Sequence, residues 1–169
     1  MLAGGGMILA VAIVGVFFII YGGGTSGVPK FAQVNVQPAA VSVAVPFTLI
    51  TEGAHSTVTS RVNYLVDSEV GFSKLWKMLN TSDAQPKIDF ATQAVIAVFA
   101  GQKPTGGYQI MVNKVEDGTM RDVIVTLAAP GPSCSVTQSL TAPYEIVSVP
   151  VTSLAFTHHD LSTTASCRQ

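Results

Sequence analysis

The chain has 169 residues and a formal net charge of −1, from nine Lys and Arg against ten Asp and Glu. This balance provides no basic surface for a phosphate backbone, so the composition argues against nucleic-acid binding. Charged residues make up only 11% of the chain, whereas about a quarter is usual for a globular protein. Such a sparsely charged chain indicates a protein that works against partner proteins or a lipid bilayer.

The first 24 residues contain no Asp, Glu, Lys, Arg or His. Their apolar part amounts to about 20 residues, which is the length that crosses a hydrocarbon core ~30 Å thick. We therefore predict a transmembrane helix at residues 1–24, in which Gly6 and Ala10 form a small-residue pair for packing against another helix. A signal peptide cleaved in its glycine-rich exit and a buried core helix remain alternatives.

Residues 25–46 are predicted to form an extended linker rich in glycine, proline and valine. Its valines alternate with small or polar residues, which is typical of a strand, although Pro38 and Pro46 interrupt the pattern. We expect this segment to lie along a partner protein or along the sheet edge of the chain's own domain. The valines predicted to contact the partner are Val34, Val36, Val41 and Val43.

One globular domain is predicted at residues 47–160, followed by a loose tail at 161–169. After the residues Asp67 and Ser68, either of which can cap a helix, apolar residues recur at helical spacing: Phe72, Leu75, Trp76 and Leu79. The strand patterns are at 47–51, 57–65, 93–100, 108–115, 121–127, 144–151 and 153–157. These elements predict an α+β fold with one mostly antiparallel β-sheet and a single amphipathic helix.

The cysteines, Cys134 and Cys167, both lie outside the predicted anchor. In an oxidising compartment they can pair and close a loop of about 32 residues, which would contribute about 3–4 kcal/mol. In the cytosol they would be two thiols. Because the domain is rich in Ser, Thr and Val and poor in Lys, we expect it outside the cytoplasm, in the periplasm or at the cell surface, with the protein crossing the membrane once.

A proline- and glycine-rich loop follows the most apolar strand, at residues 101–108. Pro104 fixes one backbone dihedral, and two adjacent glycines permit a positive φ, so the loop has a defined shape with little side-chain bulk. Such a loop can bring backbone amides close to a partner, although a purely structural turn is the alternative. The predicted partner-binding residues are Lys103, Pro104, Thr105, Gly106, Gly107 and Tyr108.

The sequence offers no catalytic or metal-binding constellation that withstands inspection. His158, His159 and Asp160 are consecutive, and neighbouring side chains of a strand point to opposite faces, so the two imidazoles cannot easily share an ion. The chain also lacks the G-x-S-x-G motif of a hydrolase nucleophile. We therefore predict no catalytic residues, no metal, no cofactor and no enzymatic activity.

Three segments together resemble the C-terminal domain of the PrcB family. They are VIAVFAGQKPTGGYQIMV at 95–112, PGPSC at 130–134 and VTQSLTAPYEIV at 136–147, within a resemblance that spans roughly residues 60–157. The resemblance implies an exported or membrane-attached accessory protein that helps a surface protease complex assemble and remain stable. It implies neither catalytic residues nor a cofactor. No cysteine stands directly after the apolar run, so the predicted helix takes the place of a lipid-modified N-terminus.

We expect a single-pass membrane protein whose extracytoplasmic domain docks on a larger membrane or surface complex as a stabilising subunit. Its expected partners are protein subunits of that complex and, through residues 1–24, the lipid bilayer. An alternative is a protease inhibitor or regulator, because the 101–108 loop is locally similar to the inserting loop of chagasin-type inhibitors. That family is an all-β sandwich, so the predicted helix argues against it. A ligand-binding periplasmic domain is a third possibility, without a pocket pattern in the sequence.

Overall fold

The structure is a computed structural model that describes residues 41–166. The predicted transmembrane helix with Gly6 and Ala10, the linker valines Val34 and Val36, and Cys167 lie outside the described residues. Within the described part of the chain, no helix combines the length and the apolar character needed to cross a bilayer.

Residues 41–166 form eight strands and one helix, arranged as two four-stranded sheets with the helix on one of them. In chain order the elements are β1 (Val43–Ala44), β2 (Thr48–Gly53), β3 (Val62–Val66), α1 (Glu69–Trp76), β4 (Gln93–Phe99), β5 (Gln109–Asp117), β6 (Arg121–Pro130), β7 (Tyr144–Pro150) and β8 (Phe156–Ala165). The first sheet has the strand order β1-β5-β6-β8, and the second has the order β2-β7-β4-β3.

Strand β4 is buried on both of its faces, which explains its almost uninterrupted apolar sequence. One face, with Ile96 and Val98, packs against β5 and β6 of the opposite sheet. The other face, with Val95 and Phe99, lies in the core covered by α1. The domain therefore has three layers: sheet, sheet and helix.

The helix α1 begins where the sequence predicts, with Ser68 as its N-cap accepting a hydrogen bond from the Gly71 N–H at 3.4 Å. Its buried face contains Phe72, which is 0% exposed. The centre of the Phe72 ring lies 5.6 Å from that of Trp76 and 6.0 Å from that of Phe90, both in edge-on contacts. Leu79 is also buried, but it lies beyond the helix and forms an isolated bridge with Ser56. The spacing therefore identified the buried residues correctly but extended the helix by one turn.

The mostly antiparallel β-domain is confirmed, with a single short helix within residues 41–166, and four details differ from the prediction. The strands form two sheets rather than one, and β6 pairs with β8 in parallel. Residues 57–61 precede β3 instead of belonging to it. The prediction of a loose tail is wrong for residues 161–165, which continue β8. Their Ser- and Thr-rich sequence suits an exposed edge strand but lacks the apolar alternation that marks a half-buried one.

We expect Phe72→Ala to lower the free energy of unfolding by about 3–5 kcal/mol, because it leaves a cavity among buried aromatic rings. Val70→Ala is the matched control, since Val70 is 67% exposed on the same helix and should change stability by no more than about 0.5 kcal/mol. Urea unfolding of the full-length protein in mild detergent, followed by far-UV circular dichroism, measures both. Similar effects from the two substitutions would contradict the assignment of the buried face.

Candidate functional site

Two of the three sequence segments that carry the family resemblance lie side by side in the structure. The 101–108 loop runs against the 137–143 segment, which leads into β7. Lys103 N–H donates to the Thr141 carbonyl at 2.8 Å, and Thr141 N–H donates back to the Lys103 carbonyl at 3.1 Å. This reciprocal pair forms an isolated antiparallel bridge that fixes the register of the loop.

Two further hydrogen bonds brace the far side of the same loop. Gly106 N–H donates to the Thr137 carbonyl at 2.9 Å, and the Thr141 hydroxyl donates to the Thr105 carbonyl at 2.8 Å. At the start of the loop, Gln102 N–H donates to the Thr59 carbonyl at 2.9 Å. The loop is therefore held along its length by backbone contacts.

The two adjacent glycines of the loop are required for different reasons. Gly107 has φ +84°, and a Cβ atom there would lie 2.9 Å from Val136 and 3.0 Å from Pro130. Gly106 has no positive φ, but a Cβ atom would lie 2.3 Å from the Thr137 hydroxyl oxygen. The prediction of a positive φ is thus confirmed for Gly107. At position 106 glycine is needed because Thr137 of the neighbouring segment leaves no room for a side chain.

The predicted contact residues of the loop differ in their exposure. Pro104 and Gly107 are exposed, Gly106 is buried, and Lys103, Thr105 and Tyr108 are half-buried. The Lys103 ammonium lies 5.7 Å from the centre of the Tyr108 ring, a distance that suits a cation–π contact. Leu140, one residue before the bridge, is 60% exposed and is not among the predicted contact residues.

The linker valines that the structure describes lie in another part of the domain. Val43 pairs with Asp117 in β1, so this stretch of the predicted linker adds a short strand to the chain's own sheet edge. Val41 and Val43 remain 84% and 63% exposed. β1, which contains Val43, pairs with the C-terminal end of β5, whereas the 101–108 loop leads into the N-terminal end of β5.

A cavity of about 400 Å³ opens beside the loop, between the end of β2 and the beginning of β5. We call it the β2–β5 groove; it is lined by residues 52–54, 107–111 and 143–144. Glu52 contributes the charged side chain of this lining, and Tyr108 and Met111 contribute larger, partly apolar surfaces. The groove therefore adjoins the same loop that the sequence predicts to contact a partner.

Glu145 follows Tyr144, a residue that lines the β2–β5 groove, and is only 7% exposed. Its Oε1 accepts a hydrogen bond from Val112 N–H at 2.8 Å, which joins β7 of one sheet to β5 of the other. Burial raises the pKa of the Glu145 carboxyl above its usual value of 4.5, the Val112 hydrogen bond opposes this, and repulsion from Glu52 adds to it. Among residues 41–166, no salt bridge to a cationic side chain neutralises this buried acid.

The opposite end of β7 is held by a buried arginine. Arg121 is 2% exposed and donates from Nε and Nη2 to the two carboxylate oxygens of Asp117 at 2.6 and 2.7 Å. It also donates from Nη1 to the Pro150 carbonyl, and its guanidinium lies 5.6 Å from the centre of the Phe156 ring. The hydrogen bond from Arg121 holds the pKa of Asp117 below its usual range. These contacts give Arg121 a structural role between the sheets.

A second cavity of about 400 Å³ lies between β3 and β8 and is spanned by an ion pair. Arg61 donates from Nη2 and Nε to Asp160 at 2.6 and 2.9 Å. As predicted for neighbours in a strand, the adjacent histidines diverge: His158 lines this cavity, whereas His159 Nε2 lies 3.4 Å from Asp122 Oδ2. Within residues 41–166, no three His, Cys, Asp or Glu side chains are grouped to hold a metal ion.

Cys134 lies beside the end of β8, with its sulfur 3.9 Å from the Ala165 carbonyl oxygen. Cys167 lies just beyond the described residues. The Cys134–Cys167 disulfide therefore stays a prediction.

Residues 94–150 match a family model described as PrcB C-terminal. The match runs from β4 to the end of β7 and contains the 101–108 loop, the 137–143 segment and Glu145. It covers about a third of the chain and confirms the resemblance found in the sequence. No curated protein and no solved structure matches the chain.

We expect Glu145→Gln to change how stability depends on pH. Because the pKa of Glu145 is higher in the folded state than in the unfolded state, the native protein loses stability as pH rises above about 4.5 through the raised pKa. Glutamine keeps an acceptor for Val112 N–H but cannot ionise, so the variant should gain stability relative to the wild type between about pH 5 and pH 8. Urea unfolding at a series of pH values measures this difference.

The matched control for this measurement is Glu69→Gln, which removes an exposed carboxylate from α1. The pKa values of Asp117 and Glu116 are lowered, so the stability that they contribute is lost only at more acidic pH. A difference between Glu145→Gln and the wild type that does not vary with pH would contradict the raised pKa.

Proposed function

We propose that the chain is a membrane-anchored, non-enzymatic accessory subunit, starting from the match of residues 94–150 to the PrcB C-terminal family model. Its extracytoplasmic domain docks on a larger membrane or surface complex and stabilises it. The family match supports an accessory role related to a protease complex. The membrane anchor is a separate part of the proposal and rests on the uncharged, apolar sequence of residues 1–24.

The observation that carries the docking role is the braced 101–108 loop. Four hydrogen bonds to the 137–143 segment, two of them the reciprocal Lys103–Thr141 pair, hold its backbone in one shape. A surface that is already ordered loses little conformational freedom on binding, so more of the contact energy contributes to affinity. Pro104 is exposed on this loop and Leu140 is exposed on the bracing segment, which gives the surface apolar contacts.

We expect the tagged full-length protein, purified in mild detergent, to bring down the subunits of a membrane or surface complex. Leu140→Arg should reduce their recovery about tenfold, because it places a charge in the proposed contact surface. Leu161→Arg is the control, since Leu161 is similarly exposed, at 52%, but lies on β8. Deleting the gene should also lower the abundance of the same complex, measured by quantitative mass spectrometry.

Recovery of the lone protein would overturn this proposal, and so would a Leu161→Arg effect as large as that of Leu140→Arg. Both variants alter exposed side chains, so each should unfold at the same urea concentration as the wild type.

Protease inhibition through the 101–108 loop is a second candidate that one feature of the fold favours. In the sequence, the helix argues against similarity to a sandwich-type inhibitor. In the structure, α1 covers the outer face of one sheet of a two-sheet domain, so its presence is compatible with a sandwich. The exposed Pro104 on a braced loop also has the rigidity that an inserting loop needs.

An assay against papain-like proteases separates the two candidates. If the loop is an inhibitor, the full-length protein should inhibit at micromolar concentration, and Pro104→Arg should abolish the inhibition while Leu161→Arg preserves it. Absence of inhibition by the wild type at micromolar concentration removes this candidate and leaves the docking role.

A further inference from the structure

Glu52 lines the β2–β5 groove, and the buried Glu145 lies beside it on the neighbouring strand. Glu52 of β2 is directly opposite Glu145 of β7 in the antiparallel register, so the two side chains extend from the same face of the sheet. Like charges in such a pair repel each other and destabilise the sheet. The repulsion is one cause of the raised pKa of Glu145.

Within the described residues, neither carboxylate has a cationic partner. The ion pairs of the domain involve other acids, namely Glu116, Asp117, Asp122 and Asp160. The lining of the groove contains no Lys, Arg or His. Lys103, on the adjoining loop, lies over the ring of Tyr108. The groove therefore has an unbalanced negative charge that a positively charged ligand would neutralise.

The same groove has an open backbone edge along β5. β1 pairs with β5 only at Asp117 and Glu116, so no described strand lies on that edge over residues 109–114. The N–H of Val112 points away from β6, since it donates to Glu145. Backbone groups of an antiparallel strand alternate in direction, so Ile110, two residues earlier, also directs its N–H and carbonyl towards the open edge. Such an edge can accept an added strand.

We propose that the β2–β5 groove binds an extended segment of a partner subunit, with a lysine or arginine side chain of that segment directed to Glu52. The segment pairs with the β5 backbone at Ile110, and the cationic side chain enters the cavity beside Tyr108 and Met111. This assignment rests on the proposed docking function and specifies the chemistry that the partner presents. A cavity of about 400 Å³ has room for a whole side chain rather than a bare ion.

The groove can be probed directly with a synthetic extended Thr/Val peptide that carries one central lysine, titrated into the full-length protein in mild detergent. We expect the lysine peptide to bind, as measured by fluorescence anisotropy. The same peptide with a central glutamate should have an affinity at least about tenfold lower, because the groove repels its negative charge. A peptide N-methylated along one backbone edge should also bind more weakly, because it cannot donate to the β5 edge. Binding should weaken as the salt concentration rises.

Glu52→Gln tests the carboxylate without changing the shape of the groove. It should weaken binding of the lysine peptide about fivefold and leave binding of the glutamate peptide no weaker than before. Glu69→Gln, on α1 outside the groove, is the matched control and should leave both affinities unchanged. No binding of the lysine peptide, equal binding of the two peptides, or equal effects of the two variants would overturn the proposal.

The same variants separate this inference from the docking role as a whole. If the complex is recovered with the wild type and fully retained with Glu52→Gln, the groove is not the contact and the docking role stands. If the wild type recovers no complex but binds the lysine peptide, the docking role fails and the groove remains a binding site. Dimerisation that Glu52→Gln weakens would identify a second copy as the occupant and overturn the assignment to a partner subunit.

Discussion

Burial of β4 on both faces is the constraint on which the rest of the domain depends. A strand with one exposed face needs only one covering layer, but Gln93–Phe99 presents apolar side chains in both directions. The sheet of β5 and β6 covers one side, and α1 with the residues after it covers the other. The sandwich, the position of the helix and the direction of the loop that leaves β4 all follow from this requirement.

β7, the other central strand of the same sheet, is joined to the opposite sheet at both ends, but the two ends differ in charge. At Pro150 the buried Arg121 is neutralised by Asp117, so the contact is electrostatically balanced. At Glu145 a buried carboxylate accepts one backbone hydrogen bond and faces another acid. Buried charge is costly unless it is paired, so the first end resembles a stabilising contact. The second end has no such ion pair within the described residues, and this imbalance underlies the proposed binding groove.

The sequence predicted the elements whose pattern is local. The helix follows from the spacing of Phe72, Leu75 and Trp76, and the loop shape follows from Pro104 and Gly107, whose backbone preferences are intrinsic. The division into two sheets was not predictable, because it depends on the pairing of β1 with β5 and of β6 with β8 across long stretches of chain. Glu145 was missed because its hydrogen bond comes from Val112, which is distant in the sequence and which no local pattern connects to it.

The pairing of β4 has a consequence for the chain while it is being made. β3 precedes β4 in the sequence and can pair with one of its edges at once, but the strand that occupies the other edge, β7, follows only after β5 and β6. Until then β4, an uncharged segment rich in β-branched residues, has an unpaired edge. A segment of this composition with an open edge favours intermolecular β-stacking. Synthesis or export that pauses between β4 and β7 would therefore expose the chain to aggregation that the completed domain avoids.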